Sequence, residues 1–95
     1  MKVLAFMEYC PEDYEKVVAK FKLAMEDRQK GSKKLPSMIL TPHAVGGEFK
    51  TVIIYDNPTE EQLNNLMIHY MPYLTFNFVP LTDYANFMEQ YYKVK

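Results

Sequence analysis

The chain has no tryptophan, one cysteine, one arginine and three glycines among its 95 residues. A single thiol, Cys10, excludes an internal disulfide and a cysteine-rich metal site, and it suits a reducing, cytoplasmic setting. Arg28 alone offers the planar fork that grips phosphate in two places. Eleven basic against twelve acidic side chains leave a net charge of −1. Nucleic-acid binders carry a basic excess, so no nucleic-acid partner is expected. No apolar run approaches the roughly 20 residues that cross a bilayer, so no membrane partner is expected either. The apolar opening before Glu8 is too short for a signal peptide.

What is present is an ordinary globular composition, 48% hydrophobic and 24% charged. The length fits a single domain over residues 1–95. A chain this short buries only about two-thirds of its unfolded surface, so covering a further face by association would stabilise it.

Prolines and glycines divide the chain into seven segments. Residues 2–9 read as a strand that stops at Pro11, which suits the first position of a helix; Glu12 and Asp13 favour the helix's positive end. Tyr14, Val17, Val18, Phe21, Ala24 and Met25 recur at helical spacing over roughly 11–29, with Gly31 as the natural stop. A second strand spans 37–45, and Pro42 inside it points to a sheet edge. Gly46-Gly47 predicts a two-residue hairpin into a third strand, Glu48 to Tyr55. Asn57 is the expected cap of the next helix, with Pro58 in its first turn and Glu60 at the capping-box position. Leu63, Leu66, Met67 and Tyr70 form its apolar stripe, and Pro72 ends it. A fourth strand from Tyr73 to Pro80 places Leu74, Phe76 and Phe78 on one face. A last helix, capped by Thr82 or Asp83, aligns Tyr84, Phe87, Met88 and Tyr91.

The order β-α-β-β-α-β plus a C-terminal helix predicts an α+β, ferredoxin-like domain: an antiparallel sheet with two helices on one face and the first and third strands in the middle. Strand residues alternate between faces. Val3, Ala5 and Met7 oppose Leu4, Phe6 and Glu8; Val52 and Ile54 oppose Phe49, Thr51, Ile53 and Tyr55. Both faces of the central strands are therefore mainly apolar, whereas an antiparallel sheet with one wet face alternates apolar with polar. Two helices cover one face, so the other needs the C-terminal helix or a second subunit. The second subunit is the favoured expectation.

The stretches Val3-Leu4-Ala5-Phe6-Met7-Glu8-Tyr9, Ile54-Tyr55-Asp56-Asn57-Pro58 and Tyr70-Met71-Pro72-Tyr73-Leu74-Thr75-Phe76-Asn77-Phe78-Val79-Pro80-Leu81 carry a resemblance. With them the chain resembles the dimeric α/β-barrel superfamily, most closely a small family of chains of about this length. The resemblance covers nearly the whole chain and rests on structural punctuation. Relatives often carry tryptophan before the last strand and in the second; here Tyr70 and His43 stand nearby. It implies two sheets packed face to face as a homodimeric barrel, often around a small-molecule cavity. Its members include cofactor-free monooxygenases, haem-dependent enzymes, lactone isomerases and stress-response proteins, and none of their catalytic motifs matches here.

Glu8 and His43 are the candidate catalytic pair, each near a strand end and each able by alternation to face away from the helices. A carboxylate orienting an imidazole makes a general base; the plainer reading is a solvent-exposed charge and a rim residue. Tyr9, Tyr55, Tyr73 and Asn77 are candidate ligand-binding groups for a mostly apolar cavity, although packing alone explains many of eight tyrosines. His69 reads as a surface residue. Two distant histidines and one cysteine make a weak case for metal, and no cofactor is expected. Cys10 precedes a helix, a setting that favours thiolate.

Two functions follow as expectations. One is a homodimeric small-molecule-binding domain, extending to a cofactor-independent enzyme acting on an apolar or aromatic compound. The other is a non-catalytic interaction module whose barrel interior is filled by Phe6, Phe49 and Phe78. The RNA-recognition topology is shared, but the third strand lacks that module's aromatic, Gly-punctuated basic pattern. A copper chaperone would need a two-cysteine loop, and an acylphosphatase an arginine-bearing anion loop; neither is present.

Overall fold

A computed structural model describes all residues, 1–95. Four strands and three α-helices alternate as β1 (Lys2–Glu8), α1 (Tyr14–Gln29), β2 (Met38–Ala44), β3 (Lys50–Tyr55), α2 (Glu60–Tyr70), β4 (Thr75–Leu81) and α3 (Tyr84–Val94), with a 3-10 turn at Pro11–Asp13 ahead of α1. The strands form one antiparallel sheet in the order β2-β3-β1-β4, with β1 and β3 central as the element order predicts. This is an α+β architecture compatible with the ferredoxin-like arrangement. No helix is long and apolar enough to cross a membrane.

The core forms on one face of the sheet. Ala5 and Met7 from β1 and Ile53 and Tyr55 from β3 meet Val17 and Ala24 of α1 and Leu66 and Tyr70 of α2. Ala5 and Ala24 are both fully buried; having only a methyl group each, they let helix and sheet approach closely. Burying Ile53 and Leu66 contributes about 1.5–3 kcal/mol each. The connection between α1 and β2 has no regular structure of its own. Side chains of both helices pin it: Arg28 Nε donates to the Pro36 carbonyl (3.0 Å), Gln62 Nε2 to Lys33 (3.0 Å) and Asn65 Nδ2 to Lys34 (3.1 Å).

Four local expectations are corrected. The hairpin at Gly46-Gly47 is longer than two residues: Val45 N–H donates to the Lys50 carbonyl, and Gly47 has φ +74°. Glu48 and Phe49 thus lie in the turn, and β3 begins at Lys50. The cap of α2 is Thr59, whose hydroxyl accepts from Gln62 N–H while the Gln62 side chain accepts from Thr59 N–H; Asn57 has φ +47° and turns the chain into this cap. Tyr14 and Met67 are solvent-exposed despite their place on helical stripes. His69 is a half-buried tie between helices, its Nε2 donating to the Lys20 carbonyl of α1 at 2.7 Å.

β2 lies at the edge, as Pro42 requires, and its pairing with β3 shifts register between Leu40 and His43. A residue that cannot donate to the ladder is tolerated where the strand has one neighbour and a bulge.

Candidate functional site

The sheet face opposite α1 and α2 is the candidate site. Cross-strand register orders its side chains into rows. Lys50, Glu8 and Thr75 form one row, and His43, Val52, Phe6 and Asn77 the next. Leu40, Ile54, Leu4 and Val79 form the third, with Leu81 beyond them opposite Lys2. Seven apolar side chains thus make a continuous floor, all of them half-buried. Most of the polar groups gather at one end, where β1 finishes and β3 and β4 begin, and Lys2 stands at the other.

At that end the Glu8 carboxylate meets Lys50 Nζ at 3.1 Å. The same ammonium stands 5.0 Å from the Phe6 ring centroid. It therefore ties the charged row to the apolar floor through one ion pair and one cation–π contact. Asn77 lies opposite Phe6 and is exposed, presenting an amide donor and acceptor at the edge of the floor. An apolar floor with a few convergent polar groups is the usual lining of a small-molecule site.

Glu8 and His43 share this face but are not neighbours. β3 runs between their strands, and Glu8 faces Lys50 while His43 faces Val52, one row away. Two strand spacings alone separate them by roughly 10 Å. His43 instead donates from Nδ1 to the carbonyl of Thr41 on its own strand. Within one chain, the carboxylate-oriented imidazole does not form.

The tyrosines are redistributed as well. Tyr55 lies on the helix side, 1% exposed, in the core. Burial, with Tyr70 beside it, pushes its phenol pKa far up, opposed in part by the Arg28 guanidinium. Tyr70 is pushed up to about 12 by the same burial, with Arg28 again opposing. Tyr9 and Tyr73 pack against the helix-side core, Lys16 Nζ standing 5.0 Å from the Tyr73 ring. Of the four candidate ligand residues, only Asn77 is on the open face. Lys50, which sequence reasoning passed over, is the polar residue most closely joined to Glu8.

The phenylalanines expected to fill a barrel interior divide in the same way. Phe6 is on the open face; Phe78 stacks on Phe76 at 5.3 Å against the helix-side core, and Phe49 sits in the hairpin turn edge-on to Tyr9. Cys10 is exposed, and its carbonyl accepts the Asp13 N–H while its thiol caps nothing.

A cleft of about 780 Å³ lies at the opposite end of the sheet among Lys2, Asp56, Asn57, Asp83 and Asn86. Comparison with known protein families and with curated proteins gives no match.

Proposed function

We propose that the chain is a homodimeric small-molecule-binding domain of the dimeric α/β-barrel type, two ferredoxin-like sheets packing face to face. The observation that carries this reading is the uncovered floor of Leu4, Phe6, Leu40, Val52, Ile54, Val79 and Leu81. The smallest dimension of the molecule is 18 Å, the depth of one sheet and one helix layer, so no third layer covers that floor. A continuous apolar face rimmed by polar groups is a common form of binding face.

The ligand reading is favoured over a filled interaction module by what stands on the floor. Only Phe6 among the three expected fillers projects there, and the remaining side chains are aliphatic. Two such sheets brought together would present mostly aliphatic walls to each other, with the Glu8–Lys50 pairs and Asn77 at the rim. An apolar or aromatic compound with one polar group fits that lining. The test is native mass spectrometry of gently purified protein. A dimer that retains a small organic molecule supports the reading; a dimer that never retains one, even after incubation with aromatic acids and phenols, favours the interaction module.

A further inference from the structure

The C-terminal helix α3 carries the most amphipathic pattern of the three helices, and every one of its residues is solvent-exposed. Tyr84, Phe87, Met88 and Tyr91 follow one another at helical spacing, and they are 73%, 57%, 44% and 47% exposed. The molecule's long axis is 50 Å against 33 Å for the next. The excess matches the roughly 16 Å length of an 11-residue helix standing off the body. The radius of gyration, 15.3 Å, likewise exceeds the about 12 Å of a compact chain of this size.

A solitary helix of this kind does not persist in water. Isolated helices shorter than about 12–15 residues are marginal even when rich in alanine. α3 instead contains aromatics, Asn and Val, which are weaker helix formers. Its capping is modest, with Asp83 accepting from Ala85 N–H at 2.8 Å. The helix therefore requires an apolar partner for its stripe. Its own sheet does not supply one: only Thr82 and Asp83 link β4 to α3, and the stripe stays exposed on a helix that extends the molecule's long axis.

Area identifies the occupant. The open floor, four strands wide and three rows deep, measures roughly 300 Å². A standard stable interface buries about 800 Å² on each partner. The stripe of α3 exposes on the order of 400 Å² more of largely aromatic surface. Floor and stripe together approach what a dimer needs, and neither does so alone.

We propose that α3 is an exchanged arm: in a two-fold dimer each copy lays Tyr84, Phe87, Met88 and Tyr91 against the other copy, at the margin of the paired sheets. A two-fold axis makes the exchange reciprocal, so both stripes and both floors are covered together. The arm rests on the sheet-pairing reading above and adds that each ligand cavity is closed by residues of the opposite subunit.

The test is amide hydrogen exchange across residues 84–94 of the full-length protein, read as a function of concentration beside sedimentation velocity. The expected result is a dimer in which these amides are protected, with protection lost on dilution below the dissociation constant. Phe87→Asp with Tyr91→Asp should weaken dimerisation by on the order of 100-fold or more, while Gln90→Glu on the polar side changes it less than about threefold. A dimer whose α3 amides exchange freely, and which tolerates the double substitution, overturns the arm and leaves sheet pairing intact. A monomer at all concentrations with protected α3 amides overturns both, the helix then folding onto its own sheet.

Discussion

Glu8 and Lys50 face each other across the β1–β3 pairing with their charged groups 3.1 Å apart, and they are the only charged side chains so joined on the open face. Both are partly solvated, with side-chain exposures of 59% and 30%. An ion pair this wet contributes about 0–1 kcal/mol to stability. Glu8→Gln is therefore expected to leave the urea midpoint almost unchanged. If the pair instead orients a ligand's polar group, the same substitution weakens ligand retention at least about tenfold, since each lost charge-assisted hydrogen bond costs about 1.5–3 kcal/mol. Titration of wild type and variant with the molecule identified by mass spectrometry separates the two effects.

The two faces of β3 respond oppositely to truncation. Ile53 is 2% exposed beneath the helices, and Ile53→Ala should destabilise each subunit by about 2–5 kcal/mol. Ile54, its neighbour on the open face, is half-buried. Ile54→Thr is expected to act mainly on association, with its effect on unfolding growing as protein concentration rises. Denaturation curves at two concentrations about a hundredfold apart read this directly.

Thr59→Ala should cost about 1 kcal/mol, because it removes one half of the reciprocal cap that starts α2. Gln62→Ala removes the other half and also the bond to the Lys33 carbonyl, so it should cost at least as much. Asn57→Asp should be close to neutral, because Asn57 is not the cap. Thermal unfolding of the three variants ranks them.

Alkali should destabilise the fold in a defined window. The Tyr70 phenol is pushed up to about 12 by burial, and Tyr55 is moved in the same direction. Both remain protonated in the folded chain, whereas in the unfolded chain they lose their protons near pH 10. Their contribution is complete below about pH 10 and is lost as pH rises from there toward about 12. Urea midpoints measured through this range should fall more steeply for wild type than for Tyr70→Phe, which has no proton to lose.

The apolar faces were legible in the sequence, but the rows within them were not. Alternation assigns Leu4, Phe6 and Glu8 to one side regardless of pairing. Row position depends on the turn. A two-residue turn at Gly46-Gly47 would pair His43 with Lys50, placing it in the Glu8 row. The longer turn pairs Val45 with Lys50 and Ala44 with Thr51, moving His43 back to Val52. A slip of two residues keeps every face and changes every partner.

Alternation also leaves open which apolar face the helices take. Tyr55 had equal claim to either by pattern. The helices lie on the face of Val3, Ala5 and Met7, where Ala5 admits them closely, and this draws Tyr55 into the core. Likewise, the apolar stripe of α3 was readable from Tyr84, Phe87, Met88 and Tyr91, but no local signal specifies whether such a stripe packs within its chain or beyond it.

Sedimentation velocity of the wild-type chain beside Phe6→Asp tests sheet pairing most directly, because Phe6 stands in the middle of the open floor and outside the core. The prediction is a wild-type dimer and a folded Phe6→Asp monomer, its association weakened by on the order of 100-fold or more. A wild-type monomer across the accessible concentration range, or a Phe6→Asp variant that dimerises as well as wild type, would contradict it.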